Sequence, residues 1–275
     1  RVTAVALLEQ ALARMERHEA QLNAVPVRAV AQARNDALQA DAALQRGERR
    51  PLLGVPITVK ENFDVAGLAT TVGNPDFQDN IARQDALAVA ALRAAGAVLI
   101  GKSNVPHSLA DLQSYNTIYG TSRNPWDLQR TPGGSSGGGT AAVAAGYVAL
   151  ELGTDIGGSV RIPAHFNGIF GHKTSYGLIS MRGAGAPQGR FSARDLSVAG
   201  PLARTAQDLE LALDLLLNLD PLEAKGWKFT LPPARHRQLR DFRILVIDTW
   251  PGADPSLSEQ LVMDRLLQRL KAEGV

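Results

Sequence analysis

The chain has 275 residues, of which 45% are hydrophobic and 20% charged, so it is long enough to bury a core and has the composition of a globular protein. Its 29 Lys and Arg residues nearly balance 27 Asp and Glu residues, and a net charge of +2 with scattered basic residues argues against a nucleic-acid-binding protein. Because cysteine is absent, disulfides, cysteine-ligated metals and a cysteine nucleophile are excluded. The sequence contains no apolar run long enough to predict a transmembrane helix, and we expect a cytoplasmic protein.

Hydrophobic periodicity predicts alternating helices and strands. In chain order, the predicted elements are helix 4–22, helix 28–46, strand 52–59, helix 84–95, strand 97–100, helix 137–146, strand 148–152, helix 205–219, strand 242–247 and helix 256–272. Residues 103–136 are rich in Pro, Asn, Ser, Gly and Thr, which indicates a long ordered loop. This alternation is typical of an α/β fold with a mostly buried sheet.

The two ends of the chain suggest a shortened sequence. Arg1 is not an initiator Met, and no apolar stretch of a signal peptide follows it. Residues 91–100 run from a helix through Ala-Gly into a strand, whereas residues 266–275 repeat this pattern and stop where the strand would begin. We therefore expect a fragment, or a naturally short form, that lacks a C-terminal part.

Two local motifs suggest other functions and are not favoured. Residues 96–103 fit the spacing of a phosphate-binding P-loop, but a helix precedes Gly96 and four apolar strand formers follow it, so Lys102 is expected to end a strand. Residues 133–137 fit the nucleophile elbow G-x-S-x-G, but the segment before them is irregular and not a strand. A serine hydrolase with Ser135 as nucleophile remains a minor alternative. Its base would be one of three histidines, His165, His172 or His236.

Glycine is concentrated just before Ser159. Nine of the 26 residues from Gly133 to Gly158 are Gly, and a predicted helix and strand interrupt them, which indicates ordered backbone and not a flexible linker. The loop 153–159 follows the predicted strand, so successive backbone N–H groups can point at one place, as an oxyanion hole requires. Ser159, at the end of this loop, is therefore the candidate nucleophile.

A serine hydroxyl needs a base, and no histidine has a recognisable spacing to these glycines. The alternative is a buried neutral lysine, although an ordinary lysine with pKa ~10.4 is neutral in only about one molecule in 10³ near pH 7.4. Lys60 follows the apolar run 55–59 and could be desolvated there. The residues alone do not favour Lys60 over Lys102 or Lys173.

Residues 131–163, from Thr-Pro-Gly-Gly-Ser-Ser-Gly to Gly-Gly-Ser-Val-Arg-Ile-Pro, resemble the signature of the amidase signature family. Further blocks match in order and cover essentially the whole chain: residues 54–60, 67–71, 101–104, 120–126 and 200–205. The resemblance implies an α/β fold with a mixed central β-sheet covered by helices on both faces. It also implies one domain over 1–275, with N-terminal helices at about 3–47, a catalytic core at about 52–205 and the start of a C-terminal part at about 206–275.

The resemblance implies a Ser-Ser-Lys triad for this chain. Ser159 would be the nucleophile, Ser135 the bridging serine, held by a cis peptide in the family, and Lys60 the general base. The oxyanion donors would be the backbone N–H groups of four residues, Ile156, Gly157, Gly158 and Ser159. Supporting hydrogen bonds and an ion pair would come from three more, Ser136, Asp155 and Arg161.

The implied function is hydrolysis of a non-peptide carboxylic amide to an acid and ammonia or an amine, with no cofactor and no metal. The expected partner is a small-molecule amide, with neither nucleic acid nor a membrane, and a homodimer is left open. Apolar and aromatic residues in 104–119 and 181–197 favour an apolar or aromatic acyl group.

Three positions depart from the family pattern. Glu61 replaces the usual Asp, and His107 stands where an acidic residue is frequent. Ile162 replaces the Gln common in the amidotransferase subunit that supplies ammonia for tRNA-dependent amidation, which favours a stand-alone amidase. The two alternatives are an inactive truncated binding module and that amidotransferase subunit.

Overall fold

A computed structural model describes residues 2–187, 195–217, 220–249, 251–252 and 254–275. By its internal contacts the chain divides into two compact units, Arg1–Lys228 and Phe229–Val275. The helices are α1 Ala4–Leu22, α2 Val30–Gln45, α3 Leu87–Ala94, α4 Gly137–Ala144, α5 Arg161–Asn167, α6 Ala206–Leu216 and α7 Leu257–Ala272. The strands are β1 Val27–Arg28, β2 Pro56–Lys60, β3 Val98–Ser103, β4 Tyr115–Asn116, β5 Gly120–Thr121, β6 Leu150–Asp155, β7 Phe170–Gly171 and β8 Val198–Ala203.

Helix boundaries follow local signals. The Thr3 hydroxyl accepts a hydrogen bond from Ala6 N at the start of α1, and Asn23 ends that helix in the left-handed conformation with φ of 47°. Ser256 and Glu259 form a capping box at the start of α7. Within the described residues, none of the helices combines the length and apolar character that crossing a membrane requires.

The main sheet has six strands in the order β1-β3-β2-β6-β8-β7. Three neighbouring strands, β3, β2 and β6, are parallel, whereas β1, β8 and β7 pair antiparallel. The helix α3 connects β2 to β3, as a parallel pair requires. The three parallel strands end at the same edge of the sheet, which brings Lys60 and Asp155 to that edge.

A hydrophobic core lies on each face of the sheet. One core combines Ile57, Val59 and Leu99 with side chains of α3 and α6. The other combines Val98 and Ile100 with side chains of α1, α2 and α4. The predicted α/β fold with helices on both faces of a mixed sheet is therefore confirmed.

Most predicted elements are found with shifted ends, but the strand predicted at 242–247 is wrong. These residues form no strand, and Leu245 is 84% exposed. Their apolar pattern suits a strand, but a strand also needs a neighbour for its backbone hydrogen bonds. Conversely, β8 was not predicted, because it contains Gly200 and Pro201, and both residue types are unfavourable inside a strand. The structure nevertheless buries this strand along its whole length.

Candidate active site

Lys60, the last residue of β2, has a fully buried side chain. Its Nζ atom lies 2.7 Å from Ser135 Oγ, 2.9 Å from Thr154 Oγ1 and 3.2 Å from the Thr154 carbonyl oxygen. Burial lowers the pKa of Lys60 to about 7, against the opposing effect of the negative charges of Glu151 and Asp155. The neutral amine is therefore far more accessible near neutral pH than it is for an ordinary exposed lysine.

Ser135 lies just before α4, and the peptide bond between Gly134 and Ser135 is cis. The next residue, Ser136, is the N-cap of α4, and its side chain donates to the Thr154 carbonyl at 3.3 Å. The backbone N–H of Ser136 also donates to the Ser159 carbonyl at 3.1 Å. The segment that holds Ser135 is thus tied by hydrogen bonds to both β6 and the Ser159 loop.

Asp155 organises the turn that contains Ser159. Its carboxylate accepts hydrogen bonds from the backbone N–H groups of Gly158 at 2.8 Å and Val160 at 3.0 Å, and it pairs with the Arg161 side chain at 3.0 Å. Burial raises the pKa of Asp155, but these hydrogen bonds outweigh that effect and lower it to about 2. Asp155 is therefore ionised at neutral pH and holds the turn in place.

The four N–H groups predicted as oxyanion donors differ in their hydrogen bonding. The N–H of Gly158 is engaged by Asp155. In the part of the chain that the structure describes, the N–H groups of Ile156, Gly157 and Ser159 donate to no protein acceptor. These three groups remain available to a ligand at the turn.

A cavity of about 470 Å³ opens at this edge of the sheet. Ser135, Thr154 and Ser159 line it. Its other walls come from loops and include the apolar side chains Leu109, Leu112 and Met181. The cavity therefore combines hydroxyl groups on one side with apolar surface on the other.

The two alternative motifs lack the geometry that their functions need. Gly96 follows α3 directly, and Lys102 lies inside β3 with no helix starting at it, so residues 96–103 do not form a phosphate-binding loop. The segment before Ser135 contains no strand, so it is not a nucleophile elbow. None of the three candidate histidines lines the cavity. Within the described residues, no group of three or more His, Asp or Glu side chains could hold a metal ion.

Sequence reasoning missed Thr154, whose hydroxyl and carbonyl both contact the Lys60 amine. It lies next to Asp155 in the glycine-rich block, which was a usable signal. It also missed Glu151, a fully buried carboxyl group on the same strand. Its partners come from other strands, and sequence spacing does not show them.

Comparisons with known proteins agree with this fold. The sequence matches the amidase family over residues 6–275. AmiB2 of Mycobacterium tuberculosis, which is named as an amidase, is 48% identical over 214 residues, 78% of this chain and 45% of that protein. A glutamyl-tRNA(Gln) amidotransferase subunit from Halorhodospira halophila is 38% identical over 271 residues, 98% of this chain and 55% of that protein. A solved structure of a fatty acid amide hydrolase is 25% identical to this chain and has a TM-score of 0.89. The match covers 99% of this chain and 49% of the hydrolase chain.

The mixed sheet with helices on both faces is the fold of amide-hydrolysing enzymes. The chain belongs to the amidase signature family, as its sequence blocks indicated. It spans about half the length of the curated relatives that it matches.

Proposed function

We propose that this protein hydrolyses carboxylic amides through an acyl-enzyme intermediate on Ser159. The observation that supports this most directly is the 2.7 Å contact between the buried Lys60 amine and Ser135 Oγ beside the cavity. A desolvated lysine next to a serine hydroxyl is a base that can activate a serine nucleophile. Ser159 lies on the same cavity, on the turn with available N–H donors.

The three contacts of the Lys60 amine fit its neutral form. A neutral amine has two N–H donors and one lone pair, and the Thr154 carbonyl and hydroxyl oxygens can accept the two N–H groups. A charged Lys60 donates to Ser135 Oγ across the 2.7 Å contact, whereas in the neutral amine the direction of this hydrogen bond reverses and the lone pair accepts the Ser135 proton. A charged ammonium group has no lone pair and could not accept this proton.

In the proposed reaction, Lys60 takes the Ser135 proton while Ser135 takes the Ser159 proton, and Ser159 Oγ attacks the amide carbonyl carbon. The N–H groups of Ile156, Gly157 and Ser159 stabilise the oxyanion, whereas Gly158 contributes to the shape of the turn. The tetrahedral intermediate collapses as the amide C–N bond breaks, and the proton returns through Ser135 to the leaving amine. Water then attacks the acyl-enzyme, and the same groups transfer its proton as the acid is released.

The cavity supports a small-molecule amide as substrate. Its volume of about 470 Å³ lies in the usual range for small-ligand pockets. Leu109, Leu112 and Met181 contribute an apolar wall. We propose an apolar or aromatic acyl group on that side.

A second candidate function is suggested by the relative from Halorhodospira halophila, which is an amidotransferase subunit. In that role the same site would release ammonia from glutamine for tRNA-dependent amidation. Ile162 argues against it, because Gln is common at this position in that subunit. Hydrolysis of simple amides by the isolated protein would support the stand-alone amidase.

A serine-reactive fluorophosphonate probe tests the nucleophile. We expect the wild type to be labelled and Ser159→Ala to lose labelling, because the probe bonds to the activated serine oxygen. Ser197→Ala is the matched control, since Ser197 also lines the cavity but contacts neither Lys60 nor Ser135, and it should keep labelling. Labelling that survives in Ser159→Ala and is lost only in Ser135→Ala would contradict the assignment and favour Ser135 as nucleophile.

A further inference from the structure

Glu151 is a buried acidic side chain that the proposed reaction does not use. It lies on β6, opposite Thr58 of β2, with no exposed surface. One carboxyl oxygen, Oε1, accepts a hydrogen bond of 2.6 Å from Ser103 Oγ. The other, Oε2, has no hydrogen bond of ordinary geometry within the described residues. Burying a carboxylate in this way is costly unless the group is protonated or paired with a cation.

The helix α4 encloses this carboxyl group. A Cβ atom added at Gly139 would collide with Glu151, 2.5 Å from its Cγ atom and closer to its carboxyl group. Only a residue without a side chain therefore lets the helix pack over Glu151. The close packing of α4 at Gly139 thus keeps the Glu151 carboxyl group out of contact with solvent.

Glu151 and Lys60 lie on the same face of the sheet. In the strand register Thr58 is opposite Glu151, and Lys60, two residues after Thr58, is opposite Ser103, the hydrogen-bond donor to Glu151. No salt bridge within 4.0 Å joins Glu151 to Lys60 in the described structure. The register therefore places the two buried groups on neighbouring strands and on the same face, two positions apart along β2, without a contact ion pair.

Two other carboxyl groups lie near this face: Glu19 of α1, which is buried and accepts a hydrogen bond from Val25 N at 2.6 Å, and Asp155, whose charge also raises the pKa of Lys60. The packed helix α4 contains only Gly, Thr, Ala and Val residues, so it contributes no titratable group. Asp155 on β6 is paired with Arg161. Lys102 of β3 is opposite Val59 in the register, so it projects to the other face of the sheet. Lys60 and Glu151 therefore form a pair of interacting titratable groups on this face.

With one proton between them, the pair has two forms of equal net charge. In one form Lys60 is an ammonium and Glu151 a carboxylate, so two separated buried charges are both desolvated. In the other form both groups are neutral and this cost disappears. Burial raises the pKa of Glu151 to about 7, against the opposing effects of the Ser103 and Thr58 hydroxyls and the charge of Lys60, while burial lowers the pKa of Lys60 to about 7. Both shifts bring the two forms closer in free energy than they are in water.

We infer that Glu151 is a positioning residue that acts through Lys60: the charge of its buried carboxylate holds the proton on the Lys60 ammonium, so the ionisation of Glu151 governs how readily the lone pair that serves as the base becomes free. This inference rests on the proposed function, in which neutral Lys60 is the active form. When Glu151 ionises at higher pH, its negative charge favours the ammonium form of Lys60. The pH dependence of activity is then a property of the pair and not of Lys60 alone.

The test is the pH profile of kcat/KM for Glu151→Gln. Glutamine keeps the size of Glu151 and can accept the Ser103 hydrogen bond, but it cannot ionise. We expect the acid limb to move to lower pH by about one unit, with kcat at the optimum within about threefold of wild type, because no carboxylate remains to stabilise the ammonium form. Glu19→Gln is the matched control, because Glu19 is another buried carboxyl group, hydrogen-bonded to Val25 N at 2.6 Å and absent from the site, and its profile should match wild type.

A second variant covers the case in which Glu151→Gln does not fold. Ser103→Ala removes the hydrogen bond that lowers the Glu151 pKa, so Glu151 stays protonated to higher pH and the acid limb should again move to lower pH, by a smaller amount. A folded variant with the wild-type midpoint overturns the role of Glu151, provided that the wild type hydrolyses amides. Absence of both amide turnover and probe labelling at Ser159 in the wild type would overturn the proposed function itself, so the two failures are distinguishable.

Discussion

Lys60 and Lys102 are both fully buried on neighbouring strands, yet they face different surroundings. Lys102 donates to Thr70 Oγ1 at 2.9 Å and to the Ala69 carbonyl, so it holds the loop that contains these two residues against β3. Lys60 contacts the Ser135 hydroxyl beside an open cavity. Their chemistry therefore depends on which face of the sheet each side chain takes.

The role of Lys60 can be tested by Lys60→Ala. We expect amide turnover to fall by about 10³-fold or more, because a general base typically contributes 10²–10⁴-fold. In the wild type, protonation removes the lone pair of Lys60, so kcat/KM should rise with pH through a midpoint near 7 that reflects the coupled titration of Lys60 and Glu151. Steady-state kinetics between about pH 5 and 9 measure both effects.

Lys173→Ala provides the control for Lys60→Ala, since Lys173 is partly exposed and does not line the cavity. It should keep the wild-type rate and pH profile. Undiminished turnover in Lys60→Ala would contradict the lysine-base assignment, even if labelling at Ser159 persisted.

The sequence predicted the proposed triad only with the help of family resemblance. Glycine spacing indicated Ser159 and a turn, but three lysines remained equal candidates until the motif blocks were matched. Thr154 and Glu151 were missed for a physical reason: their contacts with Lys60 and Ser103 depend on strand register, and register is a three-dimensional property that one sequence does not reveal.

At the scale of elements, α4 is unusual because it begins with three buried glycines, Gly137, Gly138 and Gly139. Glycine costs about 1 kcal/mol in a helix relative to alanine, so local propensity opposes this helix. Close packing explains it: a Cβ atom at Gly138 would lie 2.6 Å from the Ala24 carbonyl oxygen and 2.8 Å from the Asn104 carbonyl oxygen. The helix forms where its backbone touches the backbone of its neighbours.

Gly138→Ala should therefore destabilise the fold by about 1–3 kcal/mol despite the better helix propensity of alanine, because the clashing atoms are backbone and cannot move aside cheaply. Denaturant unfolding measures the change in midpoint. Gly226→Ala is the control, since a Cβ atom there meets nothing within 4 Å and its φ of −114° suits any residue. Equal stability of the two variants would contradict the packing explanation.

The sequence predicted secondary structure wrongly where the hydrophobic pattern of a segment does not match its surroundings in the fold. The apolar residues at 242–247 indicated a strand, but they pair with no neighbour among the described residues, and Ile247 is 65% exposed. In contrast, β8 is buried throughout and pairs with β6 along six residues, although it contains Gly200 and Pro201. Hydrophobic pattern alone does not report whether a partner strand is present.

At the scale of the whole molecule, burial is unevenly distributed between the two units. Buried residues and both hydrophobic cores lie within Arg1–Lys228. None of the described residues from 229 to 275 is buried, and α7 has exposed apolar side chains such as Leu257 and Val262. The helix α7 has a capping box at its start, but it buries none of its side chains.

Hydrogen exchange should report this difference. We expect the backbone amides of α7 to exchange orders of magnitude faster than those of α1, which buries Leu8, Leu12 and Met15. The two helices are a matched pair, because both have a side-chain N-cap and similar length. Equal protection of α7 and α1 would show that the second unit is stabilised by contacts absent from these burial values.

The exposure of the three residues of the proposed triad falls from 9% for Ser159 to 2% for Ser135 and 0% for Lys60. In the proposed mechanism the proton moves from Ser159 towards Lys60, and the Lys60 end of this path has no contact with solvent. A proton taken from Ser159 cannot escape past Lys60 into bulk water, so it can leave only by the way it entered. The leaving amine would then receive the same hydrogen atom that Ser159 gave up. The acylation half of the cycle would therefore exchange no proton with the solvent.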